Sequence, residues 1–378
     1  MADPTERYID AARGNADGSR EATFFLADHY VVYDYDQGRA VDGVHAVAGL
    51  GFGRPFSPVG PDQGLDAALK GQGRHARTGF QFRGAKFARV DLATGIGDAG
   101  VGPLSEWALT GVSATGVDAA YSDDGKAYFF RGDHYTRYDW GREKPDPGYP
   151  RRLAAPLAGI DAAVDGGYLF KGHSYLRVGW DPEPHAAAAL RPIREDWPGL
   201  VELLLAGKAK AQALVWIADA TRHLAVPFDP LFATALATHF HVGPTASAIE
   251  KAKVIALVHA QFIRVLAVLG ESSTRFRFRT EDEALTRDHC ASVPATYVRD
   301  SRFNITPLLP DRSPVDRATA ILRTAIRVAD PTSTVHIAEF EAGYDRSTTA
   351  EALRNPSAYA AFARHLSQGR DARFEWAP

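Results

Sequence analysis

The sequence predicts a chain of two domains, β then α. A four-bladed β-propeller is expected over residues 5–200. A mostly α-helical domain with a small antiparallel sheet is expected over residues 201–378. Three observations carry that expectation. A pair of phrases recurs four times in the first half, the mark of a repeat architecture. After Leu200 the apolar spacing changes from every second residue to a helical period. The chain has 378 residues, 45% of them hydrophobic, which is enough for two separate cores.

The first phrase reads Ile9-Asp10-Ala11-Ala12, Leu65-Asp66-Ala67-Ala68, Val117-Asp118-Ala119-Ala120 and Ile160-Asp161-Ala162-Ala163, at spacings of 56, 52 and 43 residues. A second phrase follows each copy. It spans Phe24–Asp34, Phe80–Asp91, Tyr128–Asp139 and Tyr168–Val178, with a short turn at Ala27-Asp28, Gly84-Ala85, Gly132-Asp133 and Gly172-His173. Aromatic and β-branched residues alternate on both sides of that turn, the pattern of two antiparallel strands. The small Ala residues of the first phrase suit a crowded place where several copies converge. Four units of this kind point to a four-bladed propeller. Pro198 and Gly199 mark the end of the fourth.

Over residues 5–200 these phrases resemble the hemopexin-like repeat family. The resemblance implies a central tunnel lined by the Asp-Ala-Ala strands. Backbone carbonyls at Asp10, Asp66, Asp118 and Asp161 would hold a structural Ca²⁺ or Na⁺ there. Haem is the other ligand the family suggests, and it needs an axial ligand such as His. His29, His134 and His173 recur in the hairpin turns and therefore read as structural. Many extracellular members tie the first blade to the last with a disulfide. The chain has one cysteine, Cys290, so closure would rest on packing of the first blade against the fourth.

In the second half, helices are expected over Val201–Leu224, Pro230–His239 and Ala246–Leu269, the last with Ile249, Val254, Ile255, Val258, Phe262, Val265 and Leu266 inward. Arg275-Phe276-Arg277-Phe278-Arg279 alternates as a strand with one polar face, with Ala295–Val298 and Phe303–Pro307 as its partners. Pro314 opens a helix through Val328, with Asp316 in its first turn. Asn355 and Pro356 supply the cap and first position of a last helix, Pro356–His365.

The element order over residues 203–366, ending in Asn355-x-x-x-Tyr359-x-x-Phe362, resembles deuterolysin-like (aspzincin) metallopeptidases. The resemblance implies a His-Glu-x-x-His zinc helix, but that place reads Arg323-Thr324-Ala325-Ile326-Arg327. Two guanidiniums at i and i+4 repel Zn²⁺ and supply no base for a zinc-bound water. They suit fork-like recognition of a carboxylate or phosphate instead. The candidate site is therefore Arg323 and Arg327 for substrate, with His336, Glu339 and Tyr359 as the catalytic groups. His259 reads as a core histidine. Cys290, beside Asp288 and His289, is a nucleophile candidate without a third partner.

A formal net charge of −3 with 24% charged residues argues against a nucleic-acid binder or a polybasic membrane anchor. Residues 1–7 carry no apolar leader, and no continuous apolar run reaches about 18 residues. The 34 Arg against nine Lys suggest a GC-rich, bacterial origin. The expectation is a cytoplasmic, metal-independent enzyme acting on a small anionic molecule, in a biosynthetic setting. One alternative is a non-enzymatic hemopexin-like binding protein, taking a protein through the propeller or a small molecule. The other is a divergent zinc hydrolase using His239 or His241, His336 and Glu339.

Overall fold

A computed structural model describes residues 6–373, apart from 17–18, 51–63, 156, 181–183, 187–188, 227–228, 271–274, 287–292 and 298–301. The chain divides into two compact units, residues 3–208 and 209–378. Cys290, Asp288 and His289 fall outside the described residues.

The N-terminal unit holds four sheets in chain order. The first is β1 (Ala11–Gly14), β2 (Glu21–Leu26), β3 (His29–Asp34) and β4 (Arg39–Ala40), with β5 (His45–Ala46) also on β3. The second is β6 (Ala67–Lys70), β7 (Thr78–Arg83), β8 (Lys86–Asp91) and β9 (Gly97–Pro103). The third is β10 (Ala119–Asp123), β11 (Lys126–Arg131), β12 (His134–Asp139) and β13 (Lys144–Pro145), with β14 (Arg151–Arg152) on β12. The fourth is β15 (Ala162–Val164), β16 (Tyr168–Lys171), β17 (Ser174–Gly179) and β18 (His185–Ala186), with β19 (Arg191–Pro192) on β17. Each recurring Ala-Ala pair lies on the first strand of its sheet and is buried. Strand β1 neighbours β6, β6 neighbours β10, β10 neighbours β15, and β15 neighbours β1.

Aromatic rings fill the spaces between sheets. Trp197 packs on Phe24, Tyr33 and Tyr35 of the first sheet side and on Tyr168, Phe170 and Tyr175 of the fourth. The chain beside it adds two polar ties: the Ala40 amide donates to the Pro198 carbonyl at 2.9 Å, and the Tyr175 hydroxyl donates to Asp196 at 2.9 Å. Trp107 plays the same part between the second and third sheets, against Phe80, Phe82, Phe129 and Tyr138.

The short α1 (Ile193–Asp196) leads into α2 (Leu200–Ala225), which crosses the boundary between the units. The unit boundary lies eight residues past the expected one because the first turns of α2 are core: Leu200, Val201, Leu203, Leu204 and Leu205 are fully buried. Gly207 permits this approach, since a Cβ there would stand 2.7 Å from a Val44 methyl.

The second unit contains α3 (Pro230–Phe240), α4 (Ala248–Gly270), β20 (Phe276–Phe278), α5 (Glu281–Thr286), β21 (Ala295–Tyr297), β22 (Phe303–Ile305), α6 (Pro314–Ala329), α7 (Thr349–Ala352) and α8 (Pro356–Gln368). The expected helices are present within a few residues of their predicted ends. The small sheet departs from expectation: it is mixed, because β20 runs parallel to β22 and only β21 is antiparallel. The 24 residues between Phe278 and Phe303, with α5 among them, supply the crossover that parallel pairing needs. The expected polar face of β20 is also absent, since Arg277 is buried and donates to Asn304 across the sheet. In α4, Val254, Val258, Phe262, Val265 and Leu269 point inward, but Ile249 is 83% exposed. Helix α4 is long and apolar enough, by length and composition, to cross a membrane, although no continuous apolar run in the sequence is that long.

Candidate functional site

Helix α6 is fixed at its start by Ser313, whose hydroxyl accepts from the Asp316 amide, and by buried Arg317, which donates to the Leu309 and Pro310 carbonyls. It presents Arg323 and Arg327 one turn apart. Arg323 is partly buried: burial lowers its pKa, while Glu339 and Glu341 oppose that change. The Arg327 Nη2 lies 2.6 Å from Nδ1 of the exposed His336. Burial and then Arg327 and Arg323 hold that imidazole below its ordinary pKa, so its neutral nitrogen accepts. Glu339 pairs with buried Arg364, at 2.6 Å. Its burial raises its pKa and the arginine lowers it. Tyr359 is buried against Phe240 and Phe262, and its hydroxyl donates to the Leu353 carbonyl at 3.0 Å.

The structure thus brings Arg323 near Glu339 and Arg327 onto His336, and places Tyr359 in the core between α3, α4 and α8. His259 is exposed and not in the core; it lines an open groove of about 1100 Å³ with Leu236, Val242 and Ile255.

A second polar cluster lies on α3 and α8. Asn355 caps α8 by accepting from Ser357, and nearly every residue of the helix is buried. Tyr359, Phe362 and His365 form one row three residues apart, so His365 is carried into the core with the aromatics. Its Nδ1 lies 3.0 Å from Nε2 of His239, at the end of α3. The other nitrogen of His239 lies 2.9 Å from the Tyr344 hydroxyl. Past the left-handed Gly369 (φ +73°), Asp371 comes within 4.8 Å of both histidines, counted between ligand atoms. Arg373 donates to Asp371 and to Asp345. Burial and then His365 hold His239 well below its ordinary pKa, and burial lowers that of His365. Both rings are therefore neutral at pH 7. His241 takes a left-handed backbone (φ +57°) that ends α3, and its Nε2 meets Ser347 at 2.9 Å.

Sequence reasoning named His239 and grouped it with His336 and Glu339. The partners it acquires are His365 and Asp371. The three-residue row of Tyr359, Phe362 and His365 was the signal for the first of these. Asp371 had none, because its place depends on where the chain goes after α8.

In the N-terminal unit, the four Asp residues of the repeated phrase share one geometry. Each amide donates to the neighbouring strand, at Phe25, Phe82, Phe130 and Phe170. Each carboxylate accepts from the first amide of the hairpin turn: Asp10 from Ala27 at 2.7 Å, Asp66 from Gly84 at 2.5 Å, Asp118 from Gly132 at 2.8 Å and Asp161 from Gly172 at 2.6 Å. Four residues on, the equivalent positions are Gly14, Lys70, Ser122 and Asp165. The Ser122 hydroxyl donates to the Lys70 carbonyl at 2.5 Å. Burial raises the Asp165 carboxyl to about 6, against the pull of the Ser122 amide, Lys70 and Arg13. The turn histidines also have local partners: His173 stacks on Tyr8 at 4.1 Å, His134 meets Asp133 at 2.6 Å, and His29 is buried.

The hemopexin family model matches residues 117–155, the third sheet and its approach. Albumin-2 of Lathyrus sativus is 29% identical over 225 residues, covering 52% of this chain and 97% of that protein. Stromelysin-1 of Equus caballus is 31% identical over 156 residues, covering 38% of this chain and 30% of that protein, so this chain spans under a third of that relative. Among solved structures, the hemopexin fold protein CP4 from cow pea is 23% identical with a TM-score of 0.43, over 52% of this chain and 97% of that one.

Proposed function

The N-terminal half of this chain belongs to the hemopexin-like repeat family, and from that premise we propose that the protein is a non-enzymatic binding protein. The observation that carries this reading is how the presumed catalytic groups are used. Glu339 is held by Arg364, Tyr359 is tied to a main-chain carbonyl in the core, and His336 accepts from Arg327. A general acid or base needs a hydrogen-bonding position free for substrate. Tyr359 spends its hydroxyl on the fold, Glu339 has one oxygen on Arg364 and the other buried, and His336 has one ring nitrogen on Arg327.

In this reading the N-terminal unit is a closed four-bladed propeller. The cyclic order of first strands supports closure, as does Trp197, which packs on the first and fourth sheets together. The unit offers its rim to a partner protein, for which rigid, multiply clamped hairpins are suitable supports. Its axis takes a hard cation on the carbonyls of Asp10, Asp66, Asp118 and Asp161. The residues present fit such an ion. Their carboxylates and amides are engaged by the neighbouring hairpins, and a backbone carbonyl oxygen is a ligand of the kind that Ca²⁺ and Na⁺ require.

Native mass spectrometry of the full chain purified from its own source tests the first part. A partner should be retained by Glu339→Gln and lost on charge reversal at the exposed outer strand, Arg151→Glu with Arg152→Glu. The opposite pattern would return the function to the residues around Arg323 and Glu339. Thermal melting in Ca²⁺, in Na⁺ and in chelator with an organic cation tests the second. A melt that neither ion raises removes the axial ion.

A further inference from the structure

We infer that His239, His365 and Asp371 form a binding site for one divalent transition-metal ion of the zinc type, with a fourth position left to water. The donor set is chemically apt: two neutral imidazoles and a carboxylate are ligands that zinc takes readily. The spacing is apt as well. Two nitrogens bound to one tetrahedral zinc at about 2.0–2.1 Å stand about 3.3 Å apart, and His239 Nε2 and His365 Nδ1 already stand 3.0 Å apart. The rings need to spread by a few tenths of an ångström. The larger movement belongs to Asp371, which is exposed, follows the Gly369 turn and is not held within a helix.

The surroundings have the form of a metal site's outer shell. Ligating histidines characteristically donate their other ring N–H to a fixed acceptor, which sets the tautomer and aims the lone pair. The Tyr344 hydroxyl, 2.9 Å from Nδ1 of His239, is such an acceptor. Arg373 holds Asp371 and is itself shared with Asp345. One Asp371 oxygen can turn to the metal while the other keeps the arginine. The proton count balances: His239 keeps its proton on Nδ1, facing Tyr344, and His365 moves its own to Nε2, which leaves one lone pair on each ring for the metal. Without metal, the same two nitrogens share one hydrogen bond.

This site is not the one that the sequence order suggested. His336 and Glu339 take no part in it, and Arg323 and Arg327 lie on a different helix. Its ligands join the end of α3, the body of α8 and the chain beyond Gly369, three segments of one unit. Metal would fasten that last segment onto the core.

The test uses the full chain, expressed without a histidine tag and stripped with a chelator. Titration with Co²⁺ should give about one equivalent bound with the visible d–d absorption of a tetrahedral site, and Zn²⁺ should abolish that absorption. Asp371→Asn and His365→Gln should each lose it while keeping the wild-type circular dichroism. Tyr344→Phe should keep the band and weaken affinity by about 10- to 100-fold. Absence of the band at saturating Co²⁺ in the folded full chain overturns the proposal. So does a band of undiminished intensity in Asp371→Asn, which is the deciding variant because its exposed position spares the fold.

Discussion

At the scale of single residues, burial decides what each charged group does. Arg364 is 2% exposed and faces a Glu339 that is itself mostly covered. Truncating one member of such a pair leaves the other charge buried without compensation, typically at about 3–5 kcal/mol. Arg364→Ala should therefore lower the urea midpoint strongly, and Glu339→Gln less, because the amide still accepts a hydrogen bond. If neither moves the midpoint, the pair is not structural. Asp165 makes the opposite case. Its folded carboxyl titrates near 6 and its unfolded one near 3.8, so the folded state binds the proton more tightly. The associated stability is present below pH 4 and is lost as pH rises through 6, up to roughly 3 kcal/mol in all. Unfolding of the wild type and of Asp165→Asn between pH 4 and 7 measures this. The wild type should lose stability relative to the variant across that interval, and parallel curves would refute it.

At the scale of elements, the fourfold phrase is a clamp. Asp just before the first strand reaches the turn of the hairpin that follows, and the residue it grips has a left-handed backbone in all four copies. Three copies use glycine there: Gly84 (φ +56°), Gly132 (φ +57°) and Gly172 (φ +57°). The first uses Ala27 at φ +52°. A Cβ is strained in that conformation by about 1–2 kcal/mol, and part of the relief is offset by the greater freedom of glycine in the unfolded chain. Ala27→Gly should thus stabilise the N-terminal unit by about 0.5–1 kcal/mol. A drop in melting temperature would show that the Ala27 methyl contributes packing that outweighs its strain. The clamp also explains why Gly84-Ala85 makes the same turn as its counterparts without their Asp or His. The gripped amide and the left-handed residue are what the turn requires, and the second turn residue is free to vary.

At the scale of the whole molecule, Trp197 carries much of the union between the first and fourth sheets. It is 4% exposed and touches six aromatic rings from both sides. Removing a buried tryptophan typically costs about 3–5 kcal/mol, through lost burial and the cavity left behind. Trp197→Ala should bring the unfolding of the N-terminal unit down by that amount. Exposed Leu190→Ala, in the same region of sequence, should change it by about 0.5 kcal/mol or less. Equal effects would mean that the aromatic cluster does not join the sheets. Which aromatic residue joins the first sheet to the fourth became clear only when residues 24, 33, 170, 175 and 197 were seen together.

The sequence by itself determined the local and repetitive parts. Strand alternation, turn glycines and the Asp-Ala-Ala phrase recur within windows of a few dozen residues, so four sheets were legible. So were the helices, since apolar spacing and end signals such as Pro314 and Asn355 act within one or two turns. The tertiary structure decided the rest. The parallel pairing of β20 with β22 depends on a crossover and not on strand composition. The burial of Arg277 depends on Asn304, 27 residues away. Arg323 and Arg327 lie on α6 and Tyr359 on α8, but His336 and Glu339 lie in the irregular stretch between α6 and α7, and the partners that engage these groups are set by packing. His239 and His365 are 126 residues apart and meet at 3.0 Å. Local propensity encodes the element that carries a side chain, whereas the contact that gives it chemistry is fixed by how distant apolar faces pack.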